Sequence, residues 1–412
     1  MVALRFYPER YPKNYFALQR GVLKMLGISL SGDEGYMYRA YSILWLSSVV
    51  LSFSIVELYE VYVYMDNLDI LVNNLSYLGT DLLGIAKMAV LLYHRKNIGT
   101  TLDNMEKGYF APDKFRGGEI EEKLIKRCIL LNNRQTCLYY LAVVMVCGLG
   151  ALGTMLKRAI YPTAPKREMP FMTFSWFDTN TSPTFEIIWF YQFYWRTMYA
   201  LIVSSTDSLI AGVLAHISTQ CIVLQNSIKG TILKCREEMS LDHRNCPEQF
   251  QNIPSSILAK KIKEHVSYHT AIMDIADQFE ELFNFLVLTI FFATLFILCF
   301  VMYHASLFDL LSIRAAQDFS YVALLAIQVF LYCYWGNEVR LESENIANAC
   351  WRVDFVGTDV RFQKSLALMI RRCQKPIVLT AGKFTKLSLD TYVWIIRLSY
   401  SYYMVLRNYN NR

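Results

Sequence analysis

Seven apolar runs divide this chain of 412 residues, and each is long enough to cross a membrane as a helix. A hydrocarbon core about 30 Å thick takes about 20 helical residues at 1.5 Å each. The composition agrees, since hydrophobic residues make up 54% of the chain and charged residues only 18%. The predicted spans are about 37–59, 70–93, 136–156, 186–211, 282–303, 319–338 and 388–406. These runs predict an all-α fold with seven transmembrane helices, in a single domain that covers residues 1–412.

Charged side chains interrupt the second and fourth runs. Asp81 and Lys87 lie in the second, and Arg196 and Asp207 lie in the fourth. A charge at this depth must face protein or water rather than lipid. Two interpretations remain open: the charges pair and orient the helices, or they form a relay for protons or ions. Pairing is the favoured interpretation.

Lysine and arginine are distributed unevenly between the runs. Of the 41, 29 lie before the first run or in 94–127, 217–281 and 339–387, and 7 lie in the alternate segments. The positive-inside rule makes the first set cytoplasmic, so the N-terminus is predicted inside and the C-terminus outside. The cysteines agree, because none lies between runs on the side assigned outside. A sequon at Asn180, a candidate glycosylation site, also lies on that side.

Two long inner stretches carry helical patterning of their own. Residues 217–281 are helical in pattern on both sides of a break from Pro247 to Pro254, and 339–387 behaves similarly. We expect helices that extend the fourth and fifth spans into the cytoplasm. Together the two stretches predict a packed cytoplasmic anchor.

Two short motifs could indicate an enzyme or a metal site, but the residues around them do not provide the rest of such a site. Residues 148–153 match G-x-G-x-x-G, but they lie inside a predicted span, where small residues allow close helix packing. His265 and His269 have the i, i+4 spacing of a metal site, yet no third ligand accompanies them, so a solvated helix face is favoured. The chain is therefore predicted not to be an enzyme, with no catalytic residue, metal ligand or cofactor.

The last run carries a partly polar stripe. Arg397, Ser401, Val405 and Asn408 fall on one helical face at spacings of 4, 4 and 3. Such a stripe with one apolar ring fits a pore-lining helix that gates by dewetting, if several copies surround an axis. Simple helix packing explains the same spacing and is favoured when spacing alone is considered.

Motifs in the last third resemble those of insect odorant receptors. They are YCYWGNE at 332–338, ES at 342–343, IANA at 346–349, LTAGKF at 379–384 and SYSYYMVLR at 399–407. The resemblance implies an odorant-binding subunit of a ligand-gated, non-selective cation channel, a heterotetramer with the odorant co-receptor. It also implies a plasma-membrane location on the dendrite of an olfactory neuron and a small volatile ligand. The inner loop 217–281 is shorter than that of the co-receptor, so a tuning subunit is expected.

The family resemblance also implies where ligand and gate lie. The odorant pocket is expected in the outer half of the bundle, between spans two, three, four and six. The implied pocket residues are Ser76, Tyr77, Thr80, Val144, Cys147, Gly148, Ala151, Tyr191, Tyr194, Trp195, Met198, Tyr321, Leu324 and Gln328. The implied pore and gate residues are Arg397, Ser401, Val405, Asn408 and Tyr409, although Tyr409 departs from the aliphatic side chain expected there.

Three other classes of protein share some of these sequence features. A gustatory receptor has a similar ending at Thr391 and Tyr392, but its characteristic Gln-Phe is missing. A G-protein-coupled receptor requires an N-terminus outside the cell. A secondary transporter requires paired broken helices at mid-membrane.

Overall fold

The computed structural model describes residues 15–31, 34–113, 116–160, 169–171, 181–242, 253–309 and 312–410. Within these ranges, almost all regular structure is helical, which confirms the all-α class. The helices are α1 Ala17–Met25, α2 Tyr36–Val63, α3 Leu68–Tyr93, α4 Arg95–Asn104, α5 Gly118–Ile160, α6 Thr184–Lys229, α7 Thr231–Asp242, α8 Ser255–Ala305, α9 Ile313–Trp351, α10 Val360–Cys373 and α11 Leu389–Asn410, with a 3-10 turn at Gly108–Phe110. A hairpin of β1 Thr380–Ala381 and β2 Thr385–Lys386 precedes α11.

The seven predicted spans fall on α2, α3, α5, α6, α8, α9 and α11, the last beginning one residue before its helix. Among the described helices, six are long and apolar enough to cross a membrane, namely all of these except α11. Helix α11 has 22 residues, or about 33 Å, but it is less apolar because it carries Asp390, Arg397 and Arg407. We call the end with the α2–α3, α5–α6 and α8–α9 connections the outer end, after the sequence prediction. Asn180 lies outside the described residues.

Helix α6 lies at the centre of the bundle. It packs against α5 and α9, while α3 packs against α8 and α11 packs against α8 and α9. In the most apolar stretch of α6, 83% of the residues are buried, against 25% in α2. Helix α2 therefore lies at the periphery, where most of its surface is left for lipid or another chain.

Small residues and capping side chains explain several local features. Asn67 caps α3 by accepting the N–H of Ile70 at 3.3 Å, and Ser312 caps α9 by accepting that of Ala315 at 3.1 Å. A Cβ on Gly150 would lie 2.5 Å from the Gln317 amide nitrogen, so this glycine allows α5 to approach α9 closely. This contact agrees with the packing interpretation of the glycine motif.

The inner end extends well beyond the apolar runs. Helix α8 has 51 residues, or about 76 Å, so more than half of it lies outside a 30 Å hydrocarbon core. Helix α10 packs against α8 and α9 through one buried face. That face comprises Phe362, Leu366, Met369 and Cys373. The hairpin turn contains Gly382 at φ +63°, whose N–H donates to the Asn284 carbonyl at 3.1 Å and so fixes the turn against α8.

The two inner histidines are buried, and the expectation of a solvated helix face is therefore wrong. His265 and His269 lie well before the predicted span 282–303. The Nε2 atom of His265 is 2.8 Å from the Thr231 hydroxyl. Burial lowers the pKa of His265 to about 3 and that of His269 to about 4. Within the described part of the chain, no cluster of three or more potential ligands could hold a metal ion.

Candidate functional site

A cavity lies inside the bundle among α3, α5, α6 and α9, and we call it the central cavity. About 850 Å³ between its walls is free of protein atoms, including the opening. Its walls are formed by Tyr77, Thr80, Leu83, Tyr139, Val143, Val146, Cys147, Phe171, Arg196, Tyr199, Ala200, Val203, Ser204, Asp207, Ile297, Gln317, Asp318, Tyr321, Leu324, Leu325 and Gln328. On α9 these positions recur every three or four residues, so one stripe of that helix faces the cavity.

Aromatic rings line the outer part of the central cavity. The rings of Tyr77 and Tyr321 stack with centroids 6.3 Å apart and planes at 11°. Phe171, which precedes α6 in the connection from α5, meets Tyr77 edge-on at 6.3 Å. Both geometries are favourable for aromatic pairs. Apolar atoms form most of the wall surface, so the cavity suits a small, mostly apolar molecule.

An ionic cluster joins α2, α3 and α6 beside the cavity. The Arg196 guanidinium donates to Asp81 at 2.6 Å and also to Glu57, and all three side chains are buried. The same guanidinium lies over the ring of Phe53 at 4.7 Å. The sequence interpretation missed Glu57, although a lone carboxylate in an apolar run was the same signal that singled out Asp81.

A second buried pair joins α3 and α6 further toward the inner end. Lys87 donates to Asp207 at 2.5 Å, with side chains 0% and 2% exposed. Asp207 also accepts from the hydroxyls of Tyr332 at 2.5 Å and Tyr139 at 3.3 Å. The pairing interpretation of the four charges is thus confirmed. Each pair links two helices.

Six of the predicted pocket residues lie on the wall of the central cavity. They are Tyr77, Thr80, Cys147, Tyr321, Leu324 and Gln328. The remaining eight lie off the wall. Whether any of the fourteen binds ligand stays a prediction.

The residues off the wall have identifiable surroundings. Ser76 is buried and donates to the carbonyl of Asn73, while Val144 is exposed. Ala151 accepts at its carbonyl from the indole of Trp189. Tyr191 stacks on Phe53, Trp195 packs on Trp45, and Tyr194 stacks on Phe190. The last two residues that lie off the wall are Gly148 and Met198.

Several wall residues were missed by sequence reasoning. Gln317 and Asp318 lie four and three positions before Tyr321, so helical spacing alone would have found them. Phe171 lies in a connection that has no periodic pattern, and nothing in the sequence indicates that it turns inward. Asp207 was recognised as a buried charge but not as part of the wall.

Helix α11 leaves its predicted polar stripe uncovered. Arg397, Ser401, Val405 and Asn408 are all exposed in the single chain, and Val405 is 66% exposed. The opposite face is buried against α8 and α9. That buried face comprises Thr391, Ile395 and Ser399. The side chain of Tyr409 lies outside the described part of the structure.

These features together define a multi-pass membrane protein with a mostly apolar cavity inside its helix bundle. A model of the seven-transmembrane odorant receptor family matches residues 67–400, so the chain belongs to this family. Over 394 residues it is 23% identical to odorant receptor 85b of Drosophila melanogaster, and the match covers 92% of this chain and 93% of that receptor.

Two further comparisons agree. Over 247 residues the chain is 23% identical to odorant receptor Or1 of Anopheles gambiae, and the match covers 57% of this chain and 59% of Or1. The solved structure of the insect olfactory receptor OR5 from Machilis hrabei in complex with eugenol superposes with a TM-score of 0.74 at 15% identity. That superposition covers 96% of this chain and 97% of the other, and confirms the seven-transmembrane helix fold.

Proposed function

We propose that this chain is the odorant-binding subunit of a ligand-gated, non-selective cation channel. It assembles as a heterotetramer with the odorant co-receptor in the plasma membrane of an olfactory neuron dendrite. The central cavity is the observation that carries this proposal, because it lies among the helices of the bundle and its wall is mostly apolar, which suits a small volatile molecule. Burial of apolar ligand surface supplies roughly 25 cal/mol per Å² before the costs of binding.

The channel part of the proposal is supported by helix α11. Its exposed stripe has no partner among the described residues of this chain, and four such helices around an axis would each turn that stripe inward. Val405 then forms an apolar ring that closes the pore by dewetting. Odorant opens the pore only to the extent that it binds the open state more tightly than the closed one.

Current recording tests the assignment directly. Cells that express this chain with the co-receptor should give inward cation current when an odorant panel is applied. Cells that express this chain alone should give none. Current from the chain alone would contradict the role of tuning subunit, and silence of the co-expressed pair across a broad panel would contradict the proposed function.

Val405 provides a test of the gate. Val405→Ser should raise the basal current of the assembled channel, because water enters a pore lined by serine hydroxyl groups more readily than one lined by valine side chains. Val356→Ser is the matched control, because Val356 is 83% exposed in the inner connection between α9 and α10. Equal basal currents in the two variants would rule out Val405 as the gate.

Orientation separates this proposal from a G-protein-coupled receptor. The distribution of lysine and arginine supports an N-terminus inside the cell. An epitope tag at the N-terminus should stain only after permeabilisation, and a tag at the C-terminus should stain intact cells. The opposite staining would favour the coupled-receptor alternative.

A further inference from the structure

The two carboxylates on the wall of the central cavity differ in how fully they are hydrogen-bonded. Asp207 accepts from four donors: Lys87, Tyr332 and, at 3.5 Å, Gln328 reach its Oδ1 atom, and the Tyr139 hydroxyl reaches its Oδ2 atom at 3.3 Å. The charge of this carboxylate is therefore already compensated within the protein, and a ligand has little to add.

The carboxylate of Asp318 has a single hydrogen-bond partner in the described part of the chain. It is 4% exposed, lies on the cavity wall and has its Oδ2 atom 2.7 Å from the Nδ1 atom of His304. Its other oxygen, Oδ1, has no hydrogen-bond donor among the described residues. A carboxylate oxygen on the cavity wall that has no donor can accept one from a ligand.

The hydroxyl groups on the wall add acceptors rather than donors. Thr80 gives its only proton to the Ser76 carbonyl at 2.8 Å, so in the short contact between Thr80 and Tyr321 the phenol must donate. The Tyr321 oxygen therefore keeps only lone pairs for a ligand. Five of the six wall hydroxyls are committed in this way. The committed hydroxyls are Thr80, Tyr139, Tyr199, Ser204 and Tyr321.

Donors on the wall are few. The Arg196 guanidinium directs its two terminal nitrogens at Glu57 and Asp81, and its Nε atom has no partner among the described residues. The Tyr77 hydroxyl has no hydrogen-bond partner in the described part of the chain and can donate to the oxygen of a ligand.

We propose that the central cavity selects small neutral alcohols and phenols, with the ligand O–H donating to Asp318 and the carbon skeleton packed beside Tyr77 and Tyr321. The proposal rests on the proposed function for the identity of the cavity as the odorant site. An ether can accept a hydrogen bond but cannot donate one, so it leaves the Asp318 oxygen unpaired. An ammonium group brings a full charge and three donors out of water, and one free oxygen does not compensate for both.

Three isomeric probes test this preference at constant size. Benzyl alcohol and 2-methylphenol carry a hydroxyl group, and methoxybenzene is an ether of the same atoms. Benzylamine adds the cationic case. The full chain is purified in lipid nanodiscs, and each probe is titrated while the melting temperature is followed. Both hydroxyl compounds should half-saturate at a concentration about tenfold lower than methoxybenzene, as expected for one hydrogen bond to a charged acceptor.

Asp318→Asn identifies the acceptor. The variant keeps the size of the side chain but can present an N–H in place of Oδ1, so the tenfold preference should fall to about twofold or reverse. Asp309→Asn is the matched control, because Asp309 is exposed in the connection between α8 and α9 and does not line the cavity. Measurement of both variants in the same lipid also corrects for partitioning of the probes into the bilayer.

Each outcome decides the proposal. Equal affinity for ether and alcohol, tighter binding of benzylamine, or no shift with any hydroxyl probe would overturn it. If Asp318→Asn does not fold, the ranking of the four probes on the unaltered chain still decides. If the chain prefers hydroxyl probes in the binding assay but co-expressing cells give no odorant-evoked current, the channel function is contradicted and this inference stands. If the cells give current but binding shows no hydroxyl preference, this inference is contradicted and the channel function stands.

Discussion

Removal of Lys87 alone should destabilise the fold more than removal of Lys87 and neutralisation of Asp207 together. The Nζ and Oδ1 atoms are 2.5 Å apart with both side chains buried. At an effective dielectric constant of 20, a pair at this distance attracts by about 7 kcal/mol before desolvation is subtracted. Loss of one partner from a buried pair costs about 3–5 kcal/mol, because the other charge stays buried without compensation.

The structure places Lys87→Met toward the lower end of that range. Asp207 keeps the Tyr332 and Tyr139 hydroxyls as donors, so its charge is still partly stabilised. In the double variant with Asp207→Asn, the amide carbonyl still accepts from the Tyr332 hydroxyl, the amide N–H replaces Oδ2 and can donate to the Tyr139 oxygen, and no charge remains. We expect the double variant to lose only about 1–2 kcal/mol, less than Lys87→Met alone, so the losses at the two positions are coupled and not additive.

Unfolding in mixed micelles, titrated with sodium dodecyl sulfate and followed by the fluorescence of the seven tryptophans, measures the double-mutant cycle. The exposed pair Lys123 and Glu119, at 3.5 Å with side chains 77% and 88% exposed, is the control and should couple by less than about 0.5 kcal/mol. Additive losses at Lys87 and Asp207 would refute the argument that their charges stabilise each other in the folded chain.

Two further predictions concern packing and pH. Gly84→Ala should lower the free energy of unfolding by about 1–3 kcal/mol, because a Cβ at this position meets the Tyr199 hydroxyl. Gly148→Ala is the control, since its Cβ would lie in open space and the change should be neutral or stabilising. Equal melting temperatures of the two variants would contradict the contact at Gly84. Both inner histidines have a folded pKa below the usual value of 6.5, about 3 for His265 and about 4 for His269, so the unfolded chain binds protons first on acidification. The free energy of unfolding should therefore be constant above about pH 6.5 and fall by about 1 kcal/mol per pH unit for each histidine toward pH 4. Replacement of both histidines by Asn should flatten the profile of unfolding midpoint against pH.

The positions of the long helices could be predicted because hydropathy along the chain already contains them. The burial of Asp81, Lys87, Arg196 and Asp207 could also be predicted, since lipid excludes unpaired charge. Their partners could not be assigned in the same way. Asp81 and Lys87 are six positions apart on α3, so they point to different faces of the helix, and each reaches α6 instead. Glu57 joins Arg196 from a separation of 139 residues, a contact that only the packing of α2 on α6 creates.

The chemistry of the central cavity is still less accessible from sequence. The stripe on α9 that carries Tyr321, Leu324 and Gln328 follows helical spacing and was predicted in part. Which lone pairs remain free depends on groups from other helices: the Ser76 carbonyl takes the Thr80 proton, and His304 occupies one oxygen of Asp318. Residue type alone describes both Asp207 and Asp318 as buried carboxylates. Only their partners among the described residues distinguish a carboxylate with four donors from one with a single partner, so ligand preference in this cavity is a property of tertiary structure.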